Sequence, residues 1–116
     1  MRNQHLNNMK KIILITDKWA QFVTLPQFST IILLDSNDDM TEHTRKERPS
    51  LIILDGDSIP HTRIIELHED AWRAIGRFDV TTKVIAFRCI KTLAGTIPIE
   101  NIEGVGKEIE KCFQAN

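Results

Sequence analysis

The stretch Pro49-Ser50-Leu51-Ile52-Ile53-Leu54-Asp55-Gly56-Asp57 constrains this chain more than any other: four aliphatic residues in succession run straight into two acids. A strand with no polar alternation is covered on both faces, which describes a strand of a parallel sheet flanked by helices. In such sheets ligands and chemistry gather at the carboxyl ends of the strands. Asp55 and Asp57 would stand there, facing a cleft. The plainer alternative is that the two acids open a loop or cap the next helix.

Three further runs have the same character: Lys11 to Thr16, Thr30 to Leu34 and Lys83 to Phe87. Each is short, rich in Ile, Val or Leu, and bounded by polar residues. Between the third and fourth runs, Ile64, Ile65, Ala71, Trp72 and Ile75 recur at three- and four-residue steps, which predicts a helix from Thr62 to Phe78. Ile102, Val105, Ile109, Cys112 and Phe113 predict a closing helix from about Asn101 to Phe113, with Asn101 as its N-cap. The segment Asp38 to Arg48 leads with acids and trails with bases. It predicts a solvent-facing helix with almost no apolar face beyond Met40. Strands alternating with helices indicate βαβ units and a mainly parallel sheet. Two connections are short. Asp17 to Ser29 is interrupted by Pro26, and Cys89 to Ile97 has room for a turn before a brief fifth strand around Gly95 to Ile99.

A chain of 116 residues makes one domain. Residues 1–8 read as a flexible polar tail, and 9–116 as the folded unit. With 27% charged residues and a formal net charge of -1, no overall field draws the chain to nucleic acid or to an anionic membrane. No segment has the ~20 apolar residues of a membrane span, and no secretory signal precedes the domain, so the expected location is cytoplasmic. Cys89 and Cys112 lack the paired spacing of a zinc site and read as reduced, largely buried thiols. His61 and His68 lie two helical turns apart, about 10 Å, too far to share one ion. Trp19, Phe22, Phe28, Trp72, Phe78 and Phe87 are expected in the core; an exposed Trp19 would instead mark a partner surface.

The order of elements and the residues at the strand ends resemble the receiver domain of two-component response regulators. The matching pieces are Lys11-Ile12-Ile13-Leu14-Ile15-Thr16-Asp17, Arg48-Pro49-Ser50-Leu51-Ile52-Ile53-Leu54-Asp55, Val84-Ile85-Ala86-Phe87 and Ile97-Pro98-Ile99-Glu100 with the helix beyond. The resemblance implies an α/β, flavodoxin-like doubly wound parallel sheet of order 2-1-3-4-5, here with shortened connections after strands 1 and 4. It implies Asp55 as the acceptor of a phosphoryl group from a phosphohistidine, and Asp17 and Asp57 as its acidic cleft. Mg2+ would be held by Asp17 and Asp55. It also implies a signalling partner such as a histidine kinase or an effector protein.

The chain departs from that pattern at several positions. One acid, Asp17, stands after the first strand where the family has two. Arg88-Cys89 replaces the Ser or Thr that ends the fourth strand, and Ile97 replaces the Lys before the fifth-strand proline. A missing ammonium removes an electrostatic partner where charge accumulates; Arg88 is the candidate phosphate-binding substitute, with a different geometry. The expectation is therefore a degenerate receiver, not an enzyme, that works through protein contacts with phosphoryl acceptance absent or impaired. Three alternatives stand beside it: a conventional Mg2+-dependent receiver, a STAS-like regulatory domain with Ser58 as the regulated residue, and a haloacid dehalogenase-like phosphatase using Asp55 and Asp57.

Overall fold

The computed structural model describes residues 10–76 and 81–114. The expected tail at residues 1–8 and the expected helix end at Phe78 lie outside them. Five strands, β1 (Ile12–Ile15), β2 (Ile32–Leu34), β3 (Leu51–Asp55), β4 (Lys83–Phe87) and β5 (Ile97–Ile99), form a sheet of order β2-β1-β3-β4-β5. Every pairing is parallel. This is the flavodoxin-like α/β arrangement.

The continuous aliphatic runs follow from a sheet covered on both sides. Successive strand residues point to opposite faces. Ile13, Ile15, Ile52, Leu54 and Val84 join one core with Ile64, Leu67 and Ala71. Ile12, Leu14, Leu51, Ile53 and Phe87 join the other with Phe22, Val105 and Ile109. The first core lies under helices α1 (Met40–Glu47) and α2 (His61–Ile75), and the second under helix α3 (Ile102–Gln114).

Both short connections are as expected. Between β1 and β2 the chain makes only two 3-10 turns, Trp19–Phe22 and Phe28–Thr30. Between β4 and β5 there is no helix; Leu93 plugs the first core and the partly buried Cys89 packs against it.

Two expectations are corrected. Helix α1 is not simply a solvent-facing helix: Met40 and Thr44 are buried, and the α2 residue Arg63 donates to the carbonyls of Ser36 at 2.7 Å and Asp38 at 3.3 Å, tying the loop before α1 to α2. Asp39 caps it through Glu42 N–H at 3.1 Å. Trp19 is not in the core. It is 54% exposed and stacks on Phe28, because the 3-10 turn that buries Phe22 sends Trp19 outward. Cys89 and Cys112 are both free thiols and only half-buried.

Candidate functional site

Asp55 is the last residue of β3 and is wholly buried. Its Oδ2 accepts from Thr16 Oγ1 at 2.7 Å, from Ser58 Oγ at 2.7 Å and from Gln21 Nε2 at 3.2 Å. Its Oδ1 accepts from Asp57 N–H at 3.0 Å. The topology explains the first contact: β1 and β3 are neighbours in register, Ile15 opposite Leu54, so the residues that follow, Thr16 and Asp55, meet at the same sheet edge. Gln21 arrives on the 3-10 turn that fills the β1–β2 connection. Ser58 arrives on the loop before α2.

Both hydroxyl protons are spent on Asp55. Thr16 Oγ1 accepts from Lys18 N–H at 2.9 Å and Ser58 Oγ accepts from Asp17 N–H at 2.9 Å. Each hydroxyl thus donates once to the carboxylate and accepts once from the chain after β1. The 3.3 Å approach of the two hydroxyl oxygens is then a packing contact without a proton of its own. Burying a carboxylate is costly unless donors surround it, and these four donors satisfy it.

The other site candidates turn elsewhere. Asp17 spends both carboxylate oxygens on Ser36, accepting from its N–H at 2.9 Å and its Oγ at 2.8 Å, at the end of β2. Asp57 faces Arg88 at 3.8 Å, an ion pair close to half exposed on both sides and worth under about 1 kcal/mol. Arg88 has φ +50°, donates from Nε to the Glu100 carbonyl at 2.7 Å and lies 5.0 Å from the centre of the Phe87 ring. Asp55 therefore receives no contact from the expected phosphate-binding cation. The residues expected to hold Mg2+, Asp17 and Asp55, direct their oxygens to different partners. Among the described residues no three His, Cys, Asp or Glu side chains gather in a metal-binding group. That donor set, as arranged, does not fit the oxygen shell of a hard divalent cation.

Beside the carboxylate lies a hollow of about 280 Å3 lined by residues that include Asp57, Ser58, His61, Cys89 and Ile90. His61 Nδ1 is buried there with no hydrogen-bond partner among the described residues. Gly56 closes the floor: its N–H donates to the Phe87 carbonyl at 2.8 Å, and Cys89 packs directly against it.

Burial, with the Asp55 charge adding to it and the Gly56 amide opposing, pushes the Cys89 thiol up to about 11. The thiolate is the disfavoured form, so the folded chain holds this proton to higher pH than the unfolded chain, whose thiol sits at 9.0. The associated stability is complete below pH 9 and is lost as pH rises toward 11. Iodoacetamide at pH 8 is expected to alkylate Cys89 far more slowly in the folded protein than in urea, read by peptide mass mapping. Equal rates in the two states would contradict this account.

Thr16 and Gln21 were not expected as site residues. The alignment of Thr16 with Asp55 is legible once β1 and β3 are paired. Gln21 leaves no comparable signal, because only the path of the 3-10 turn carries its amide to the carboxylate. Among the described residues no helix is long and apolar enough to cross a membrane. Comparisons with protein-family models, with curated proteins and with solved structures find no match to this chain.

Proposed function

We propose that this chain is a receiver-like signalling module that acts by binding another protein, such as a histidine kinase or an effector, and that phosphoryl acceptance at Asp55 is impaired. The observation that carries this reading is the state of Asp55, buried completely and held by four donors. A carboxylate that attacks phosphorus must bring an oxygen to the phosphoryl donor with a lone pair free. Here Thr16, Gln21 and Ser58 occupy the approach to Oδ2. Among the described residues no side-chain cation is bonded to Asp55 to offset charge developing on phosphoryl oxygens. In this reading the carboxylate is a structural pin that joins the exits of β1 and β3 to the loop before α2.

Incubation with acetyl phosphate, with and without Mg2+, followed by intact-mass spectrometry tests it. The expected result is no gain of mass in folded wild-type protein. A Mg2+-dependent gain of one phosphoryl group that disappears in Asp55→Asn would overturn the reading and restore the conventional receiver. Turnover of p-nitrophenyl phosphate, lost in the same variant, would restore the phosphatase.

A further inference from the structure

Between Lys18 and Asp35 the chain runs for sixteen residues, Trp19 to Leu34, without a charge, although 27% of all residues are charged. This stretch supplies three of the five large hydrophobic side chains exposed among the described residues: Trp19 at 54%, Val23 at 48% and Leu33 at 41%. They share one side of the sheet. Leu33 lies opposite Leu14, whose side chain belongs to the core under the 3-10 turns, while Ile32 and Leu34 point to the other face. Two 3-10 turns fill the β1–β2 connection where a full crossover helix would cover more of that face, and the outer strand is left partly bare.

The backbone of that strand is open as well. Among the described residues, β2 pairs only with β1. Thr16 N–H donates to the Leu34 carbonyl at 2.9 Å across the β1 side, so the peptide groups of Leu33, one residue earlier, point away from the sheet. On either side the next outward donor is taken: Ile31 N–H bonds the Phe28 carbonyl at 3.1 Å and Asp35 N–H bonds Asp38 Oδ2 at 2.8 Å. Among the described residues, the N–H and carbonyl of Leu33 and the carbonyl of Ile31 remain without a partner on this edge. The opposite edge is guarded differently, by Pro98 in the middle of β5, which has no N–H to offer. β2 carries neither proline nor charge.

We infer that this edge is a self-association surface, and that its occupant is a second copy of the chain, β2 against β2 about a two-fold axis through Leu33. An antiparallel pair centred on one residue exchanges both N–H···O=C bonds of that residue with its twin, which uses the donor and the acceptor that Leu33 leaves open. The charge pattern selects the same partner. The surface is apolar, aromatic and uncharged, as the centre of a protein interface is, and a copy of it brings the same uncharged area and the same open strand. The inference does not depend on the reading of Asp55.

Sedimentation velocity on the full chain over a wide concentration range, combined with amide exchange at Leu33, tests it. The expected result is a concentration-dependent dimer in which Leu33 N–H exchange slows as the dimer fills. Leu33→Lys puts two like charges on the axis and should weaken association by about tenfold or more, whereas Ile65→Lys, on α2, should not. Should Leu33→Lys prove unfolded by circular dichroism, Trp19→Ser reads the same face. A wild-type chain that stays monomeric overturns the inference and leaves the face to a different protein. A dimer indifferent to both substitutions, or without protection at Leu33, overturns it too.

Discussion

Phe22→Ala is expected to lower the unfolding free energy by about 3–5 kcal/mol. Phe22 is fully buried and meets Phe87 edge to face at 5.4 Å between ring centres. It is the anchor of a connection that has no full helix of its own. In a crossover with a long amphipathic helix, one lost side chain is backed by several others on the same stripe. Here Leu25 and Ile31 are the other buried apolar residues of the connection. A domain of this size has about 5–15 kcal/mol in total, so the midpoint of urea denaturation should fall steeply. The same substitution should loosen the neighbouring Gln21 and with it the 3.2 Å contact to Asp55, visible as faster exchange of the Gln21 side-chain amide. Phe22→Leu, which keeps most of the volume, should cost less. A change under about 1 kcal/mol for Phe22→Ala would mean that the connection is not held by this ring.

Gly56→Ala is the second substitution with a large expected effect, and its cause is backbone rather than volume. A Cβ at Gly56 would stand 2.8 Å from the Arg88 carbonyl, the Cys89 Cα and the Cys89 Sγ. Two of those atoms are main chain and have nowhere to rotate. The exits of β3 and β4 must separate, and the bond from Gly56 N–H to the Phe87 carbonyl lies in the way. The expected loss is about 1–3 kcal/mol, the cost of overpacking. Gly104→Ala serves as the contrast. Its Cβ would also approach to 2.8 Å, but against side-chain atoms: Ile99 Cγ2, the methyl of a β-branched residue, with Asn101 Oδ1 next at 3.2 Å. Within α3, alanine also gains up to about 1 kcal/mol of helix propensity over glycine, which offsets part of that crowding, so the loss should be smaller than at Gly56. Equal losses for the two variants in denaturant titrations would show that main-chain crowding at Gly56 is not what matters.

The central elements were legible because their signal is local. Leu51 to Leu54 had to be covered on both faces, and they are, with alternate residues in the two cores. The three- and four-residue spacing of Ile64, Ala71 and Ile75 marked α2, whose start was expected one residue late. Where burial depends on distant residues, the same kind of reasoning fell short. Helix α1 looked unsupported because its neighbour α2, with Arg63 reaching 27 residues back to the Ser36 carbonyl, cannot be read from the segment itself. Trp19 looked like core because it is large and apolar; the 3-10 turn has room inside for Phe22 alone.

The site divides along the same line. Composition and pattern by themselves determined that an acid would end the third strand at the carboxyl edge of a parallel sheet, since strand period, flanking turns and aliphatic content are properties of short windows. Which groups meet that acid was decided only by tertiary structure. Thr16 and Gln21 come to Asp55 from 39 and 34 residues away, while Asp17, the acid expected beside it, turns to Ser36 and Arg88 turns to Asp57 and Glu100. Hydrogen bonds are short-ranged and directional, so a carboxylate one residue along from Thr16 can be committed to another partner altogether. A pattern of residue types names the acids at an edge; the path of the backbone and the rotamers it permits determine which oxygen faces which donor.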